Sequence, residues 1–317
     1  MDEGDAHVPV LVEAAIDWLG PALEGGGRLV DCTLGAGGHA MAFLEAMPDV
    51  TLIGIDRDEE ALEVARTRLE RFGDRVRLVK ANFADLETVL GPEHGEVAAI
   101  LYDLGVSSMQ LDQPWRGFGY RTGFPLDMRM NKGDQVTAAE IVNKYSERRI
   151  SEIIARYGEE RFSRRIARAI VSRRQREPFS DAGDLAEVVK AAIPAATRRT
   201  GPHPARRTFQ ALRIETNNEL TSLETSLPKA VDALKPGGRI AVISYHSLED
   251  RVVKTIFQSL ARGCVCPPDA PVCTCGYEPK VAVLTRRPLR PSDEEVARNR
   301  RADSAKMRVA EKLPEAA

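Results

Sequence analysis

The chain has 317 residues, 43% of them hydrophobic, enough for one large domain or two with buried cores. No apolar run reaches the roughly 18 residues of a membrane span. The acidic start, Met1–Asp5, lacks the basic and apolar regions of a signal peptide, so a cytoplasmic protein with no membrane partner is expected.

Net charge is −2, which taken alone argues against a nucleic-acid binder, but its distribution is uneven. Residues 1–100 carry 8 basic and 20 acidic side chains, whereas residues 144–213 carry 17 basic and 8 acidic ones. In the basic stretch arginine outnumbers lysine fifteen to two. Arginine forks onto phosphates and stacks on bases, so an RNA or DNA partner is favoured over a merely solvated face.

In chain order, the first strand-like run is Leu29–Cys32. It leads through Asp31 into a glycine-rich turn, Gly35-Ala36-Gly37-Gly38-His39, with a helical pattern from Ala40. Glycine is required where φ is positive or where a ligand approaches the backbone closely. Unpaired N–H groups at a helix start attract polar ligands. The second run, Leu52–Ile55, ends on Asp56, about 20 residues past the glycines, the spacing at which an acid meets a ribose. Gly35, Gly37 and Ala40 also spell G-x-G-x-x-A, a weak dinucleotide fingerprint. Asp31, four residues before Gly35, leans instead toward the first motif of Rossmann-like S-adenosylmethionine methyltransferases, whose cofactor carries an ammonium group and no pyrophosphate.

Val76–Val79 and Val97–Tyr102 continue the strand-like runs, with amphipathic stretches between them such as Ala61, Leu62, Ala65 and Leu69. Such a βαβ pattern implies a parallel sheet with right-handed crossovers. After Ser108 the alternation stops. Trp115–Pro125 reads as a loop over a site, and Thr137–Ile193 as helical, with Gly158 breaking two helices and a turn at Thr200–Pro204. One long helix is expected from Thr208 to Leu234, stopped at Lys235–Gly238. Arg239–Tyr245 reads as a further strand and Leu248–Leu260 as a helix. Val281–Thr285 and Met307–Ala310 suit an antiparallel pair at the sheet edge. The expected fold is α/β, a Rossmann-like class I methyltransferase sheet with an inserted α-helical domain. The expected boundaries are 1–108 and 205–317 for the sheet domain and 109–204 for the insertion.

Ligands of open α/β sheets sit beyond the carboxyl ends of the strands. There the sequence places Asp31 and the glycines, Asp56 for ribose hydroxyls, and Asn82 and Phe83 for an adenine. Asp103 follows for a sulfonium or acceptor group, and then His246. Phe83 suits the core equally well. Ser247 and Asp250 fit a helix cap, whereas His246 keeps an acid–base or base-contact reading beside Arg251. Arg164, Arg165, Arg168 and Arg207 are candidate phosphate contacts. Phe209 is a candidate base stacker, or a core ring. Cys264, Cys266, Cys273 and Cys275 form C-x-C-x6-C-x-C, tighter than usual zinc spacing, and a metal there is weighed against a compact loop.

Together these residues resemble the RsmH (MraW) family of bacterial 16S ribosomal RNA cytosine-N4 methyltransferases. The strings that carry the resemblance include His7–Leu11, Gly37–His39, Asp56–Asp58, Asp103–Asp112, Arg116–Phe118, Pro125–Met130, Tyr157–Phe162, Arg165–Ile170, His203–Arg213 and Ser244–Arg251. They run in order over nearly the whole chain. The resemblance implies S-adenosyl-L-methionine as methyl donor and a decoding-region cytidine of the small-subunit RNA as acceptor, with the helical insertion holding the RNA. It carries cofactor roles onto Gly37, Gly38, His39, Asp56, Phe83, Asp103 and Gln110. Many amino-methyltransferases place [Asp/Asn/Ser]-Pro-Pro-aromatic after the fourth strand. This chain has Asp103-Leu-Gly-Val instead, so the group that activates the amine is sought among Asp103, His246 and Asp127. The rival readings are a non-catalytic RNA-binding assembly factor, an NAD-dependent oxidoreductase, and a methyltransferase acting on DNA or protein. A second copy of the chain is a further candidate partner.

Overall fold

The structure is a computed structural model that describes residues 9–198, 203–263, 266, 275 and 277–314, leaving out the side chain of Ser108. The chain forms two compact units, one of Met1–Gly105 with Leu220–Ala317 and one of Val106–Glu219.

In the first unit, α1 (Val12–Leu23), β1 (Gly27–Asp31), α2 (Gly38–Ala46), β2 (Val50–Asp56), α3 (Glu59–Leu69), β3 (Val76–Lys80), α4 (Leu86–Leu90) and β4 (Val97–Asp103) follow one another. The second unit holds α5 (Ser108–Asp112), α6 (Ala138–Lys144), α7 (Glu147–Gly158), α8 (Ser163–Arg174), α9 (Ala182–Ala192) and α10 (Arg206–Asn217). Then come α11 (Glu219–Ala233), β5 (Leu234–Ser244), α12 (Ser247–Leu260), β6 (Val281–Val283), α13 (Asp293–Arg298) and β7 (Lys306–Lys312).

The strands form one sheet in the order β3-β2-β1-β4-β5-β7-β6. β1 to β5 are parallel, while β7 runs antiparallel to both β5 and β6. The side-chain period of two sorts the core onto two faces. Leu29, Leu52, Leu101 and Ile243 pack with Leu19, Phe43 and Leu62 from α1, α2 and α3. Their strand neighbours Val30, Ile53, Ile100 and Val242 pack on the other face with Leu86, Leu227 and Phe257 from α4, α11 and α12. β4 is buried along its length up to Asp103, as a central parallel strand must be.

The helical unit has its own core, in which Ile150, Ile153 and Ile154 of α7 meet Ile166 and Ile170 of α8, Leu185 and Val189 of α9, and Phe209 and Leu212 of α10. Gly158 ends α7, but it is Glu159 that takes the left-handed conformation, with φ 47°. Gly158 is required by packing: a Cβ there would lie 2.6 Å from the Arg207 carbonyl oxygen on α10. The loop Trp115–Pro125 belongs to this unit too. It is tied to α9 by Ala182 N–H donating to the Phe124 carbonyl at 2.7 Å.

Two expectations are corrected. The helical unit extends from Val106 to Glu219 rather than from 109 to 204, because α10 packs on α7 and buries Phe209 there. The single long helix from Thr208 is two, α10 and α11, broken at Asn218 with φ 51°. Asparagine tolerates the left-handed conformation, so Asn218 can end α10 there, while the amide of Asn217 before it is spent inside the unit. Its Oδ1 accepts from Met130 N–H and its Nδ2 donates to the Met128 carbonyl, both at 2.8 Å.

No helix of the described residues is long and apolar enough to cross a membrane. Cys264 and Cys273 lie outside the described residues, as do residues 200–202 of the expected turn and His7 of the first motif. Cys266 is partly buried and Cys275 exposed.

Candidate active site

The carboxyl edge of the first unit's sheet collects acids because parallel strands all end on the same side. β1 ends at Asp31, which is 2% exposed and accepts Thr33 N–H at 3.1 Å. The chain then turns through Gly35 and Gly37, with φ 53° and 77°. Gly37 is the N-cap of α2, and a Cβ on Gly38 would lie 2.6 Å from Pro9 Cγ. A Cβ built on Gly35 would meet no atom within 4 Å, so open space lies over the turn.

Asp56 ends β2 and braces this turn from the neighbouring strand. Its Oδ2 accepts Gly35 N–H at 2.7 Å and its Oδ1 accepts Asp58 N–H at 2.8 Å. Burial raises its pKa against these bonds. Phe83 follows β3, half-buried and edge-on to Tyr102 with ring centroids 5.5 Å apart. Asn82 is spent as a cap, its Oδ1 accepting Ala84 N–H at 3.0 Å.

Asp103 ends β4. Its backbone N–H donates to Thr33 Oγ1 at 2.6 Å, and its Oδ1 accepts the Tyr245 phenol at 2.8 Å. Its Oδ2 lies 3.5 Å from His39 Nδ1. The other ring nitrogen of His39, Nε2, is 2.9 Å from the Val10 carbonyl, which can only accept. Nε2 therefore carries the proton, and Nδ1 is the nitrogen that faces Asp103.

Burial pushes Asp31 up to about 7, His39 opposes the rise, and Asp103 and Asp56 add to it. Burial, together with the charge of Asp103, pushes Tyr245 well above the ordinary tyrosine range, so its phenol stays a donor.

Neither Thr33 nor Tyr245 was flagged by local sequence. Tyr245 closes an apolar strand run like any core ring, and its partner is 142 residues away.

His246 is the N-cap of α12. Its Nδ1 accepts Glu249 N–H at 3.3 Å, while Glu249 Oε2 accepts His246 N–H at 3.1 Å. The capping pair is therefore His246 with Glu249, one residue before the expected Ser247 with Asp250. His246 Nε2 lies 3.1 Å from Glu249 Oε1 without hydrogen-bond alignment. Asp250 instead binds Arg308 at 2.6 Å, which holds its carboxyl below the usual range although burial opposes this. Arg251 is exposed on α12.

The remaining candidates lie in the helical unit. Gln110 is buried in a capping box with Ser107, its Oε1 accepting Ser107 N–H at 3.2 Å. Both oxygens of Asp127 accept from Arg129, each at 2.7 Å. Burial pushes the Asp127 pKa up, but these bonds outweigh it and the net shift is downward. Arg164, Arg165, Arg168 and Arg207 are exposed. Phe209 is 4% exposed and belongs to the core, which removes it as a base stacker.

A family model described as the MraW methylase family matches residues 4–313. The chain is 51% identical over 310 residues to "Ribosomal RNA small subunit methyltransferase H" of Heliobacterium mobile, covering 97% of this chain and 99% of that one. It is 50% identical over 311 residues to the protein of the same name from Carboxydothermus hydrogenoformans, covering 97% and 98%. Among solved structures, an rRNA methylase from Streptococcus thermophilus aligns with a TM-score of 0.44 at 13% identity, covering 98% of this chain and 100% of that one.

Proposed function

This chain belongs to the MraW methylase family, and we propose that it transfers a methyl group from S-adenosyl-L-methionine to N4 of a cytidine in the decoding region of 16S ribosomal RNA. The observation that carries the reading is the trio of acids Asp31, Asp56 and Asp103, gathered around an open glycine turn with the His39 ring beside Asp103. Such a site suits a cofactor bearing an ammonium and a sulfonium. It does not suit a pyrophosphate, which disfavours the dinucleotide reading.

Asp31 meets the ammonium group, Asp56 the ribose hydroxyls and Phe83 the adenine. Gly37, Gly38 and His39 shape the wall between them. Gln110 stands as a further cofactor contact, on resemblance alone. When bound, S-adenosylmethionine supplies an electrophilic methyl on its sulfonium centre.

The N4 lone pair of cytosine is delocalised into the ring, so the amine is a weak nucleophile. Asp103 is the residue placed to correct this. Accepting an N4 proton orients the amine and draws its lone pair out of conjugation. The new bond is N4 to methyl, the methyl–sulfur bond breaks with its electron pair staying on sulfur, and the N4 proton leaves toward Asp103 or water. Positioning supplies most of the rate. Asp127 is committed to Arg129, and His246 caps α12 through Nδ1 with its Nε2 turned to Glu249, so we assign the acceptor role to Asp103, which stands with Asp31 and Asp56 around the glycine turn.

The helical unit holds the RNA through exposed arginines, among them Arg164, Arg165, Arg168 and Arg207, with Arg251 on α12 as a further contact. The test is transfer of labelled methyl to naked 16S RNA and to assembled small subunits, with the product base mapped. N4-methylcytidine in the decoding region is the expected result. A different base, or label in protein, overturns the reading.

A further inference from the structure

The core position of Phe209 leaves open which ring of the helical unit meets the RNA. Phe209 and Tyr120 meet in a T-shaped contact, with centroids 5.8 Å apart and planes at 81°. Tyr120 in turn lies flat on His203, with centroids 4.4 Å apart and planes at 14°. His203 is oriented by Ala205 N–H, which donates to its Nδ1 at 3.2 Å. Tyr120 is nevertheless 39% exposed. Its ring is thus supported from the core, held by a stacking partner and open to solvent.

Tyr120 is not exposed in isolation. The exposed large hydrophobics among the described residues are Val64, Leu111, Trp115 and Tyr120, so three of the four fall within ten residues of this unit. Exposed apolar surface concentrated in one segment marks an interaction site. Its neighbours in the chain are basic: Arg121 follows Tyr120, and Arg206 and Arg207 open α10 just after His203, all three exposed. Arg206 N–H donates to the His203 carbonyl at 2.9 Å, which sets it one turn from the ring pair. A fixed π surface with cationic side chains on both of its chain segments is the arrangement that stacks unpaired bases while holding the backbone.

We propose that the Tyr120–His203 pair is a stacking platform for an unpaired base of the RNA substrate, with Arg121, Arg206 and Arg207 taking the flanking phosphates. This rests on the reading of an RNA substrate given above and names the surface that engages it. A duplex offers no free base face, so the platform selects single-stranded RNA.

The test uses the full chain with a fluorescein-labelled single-stranded RNA of the decoding-region sequence and the same RNA annealed to its complement. Tyr120→Leu, which keeps apolar bulk but removes the ring, should weaken single-strand binding roughly tenfold and duplex binding much less. Tyr120→Phe should bind as wild type. S-adenosylmethionine binding and the thermal midpoint confirm that each variant is folded. Equal single-strand binding by Tyr120→Leu and wild type overturns the proposal, and so does an equal loss on both RNAs. Methyl transfer by the wild-type protein is scored separately. Its failure counts against the catalytic reading, whereas failure of the Tyr120→Leu contrast counts against the platform.

Discussion

The Tyr245 phenol donates to Asp103 Oδ1 across 2.8 Å, joining the exit of β5 to the end of β4. The bond fixes one carboxylate oxygen and biases the side chain toward a single orientation. Tyr245→Phe should therefore lower the turnover number several-fold while leaving cofactor affinity unchanged, the mark of a positioning residue. Asp103→Asn should cost on the order of a hundredfold or more in turnover, since it removes the negative charge and replaces one acceptor oxygen by an NH2 donor that cannot take the N4 proton. Single-turnover methyl transfer, with calorimetry for the cofactor, separates the two effects. Full turnover by Asp103→Asn would remove Asp103 from the chemistry.

Asp31 makes cofactor affinity depend on pH. With its pKa near 7 it is neutral in mild acid and attracts an ammonium group only once ionised. Affinity for S-adenosylmethionine should strengthen as pH rises from about 5.5 to 8, by up to about tenfold per unit below the pKa. Asp31→Asn keeps the oxygen that accepts Thr33 N–H, and its affinity should be flat with pH and weak at pH 8. Calorimetry at several pH values checks this.

The same shift has the opposite sign for stability. The folded protein holds the Asp31 proton between about pH 4 and 7, where the unfolded chain does not. Stability should therefore fall as pH rises through that window. Asp31→Asn should remove this contribution, seen as a urea midpoint that declines less than wild type between pH 5 and 8.

Arg164, Arg165 and Arg168 lie on one exposed stretch of α8, and Arg168 has Glu147 only at 3.7 Å. Replacing all three with glutamine should weaken RNA binding and reduce the salt slope by about two to three. Cofactor affinity should be unchanged. Fluorescence anisotropy from 50 to 300 mM salt is the measurement, and an unchanged slope would exclude these residues from the interface.

Phe209→Ala should act on stability. The ring is 4% exposed in the core of the helical unit, and its loss should cost about 3–5 kcal/mol by cavity formation. Denaturant unfolding should show a lowered midpoint. Unchanged stability with lost RNA affinity would restore the stacking role that burial argues against.

The strands, their parallel order and the acids at their ends were legible in the sequence, because each depends on local rules. Period-two apolar runs make buried strands, parallel crossovers put every strand end on one edge, and a glycine turn after Asp31 needs only its own φ values. The amphipathic stripes of α7 and α8 were legible for the same reason. What an individual side chain does at those places was decided by contacts distant in the chain. The phenol of Tyr245 meets Asp103 only because β4 and β5 lie side by side. Phe209 is core because α10 packs on α7, where Gly158 lets the helices close. That packing leaves Tyr120 as the outward ring. Even the α12 cap shifts from Ser247 to His246, because the end of β5 sets where the helix begins. Burial and pairing are sums over neighbours that periodicity does not contain. Local pattern is thus enough for the sheet, its acidic edge and the basic helical segment, whereas the role of each group on them depends on which distant side chains pack against it.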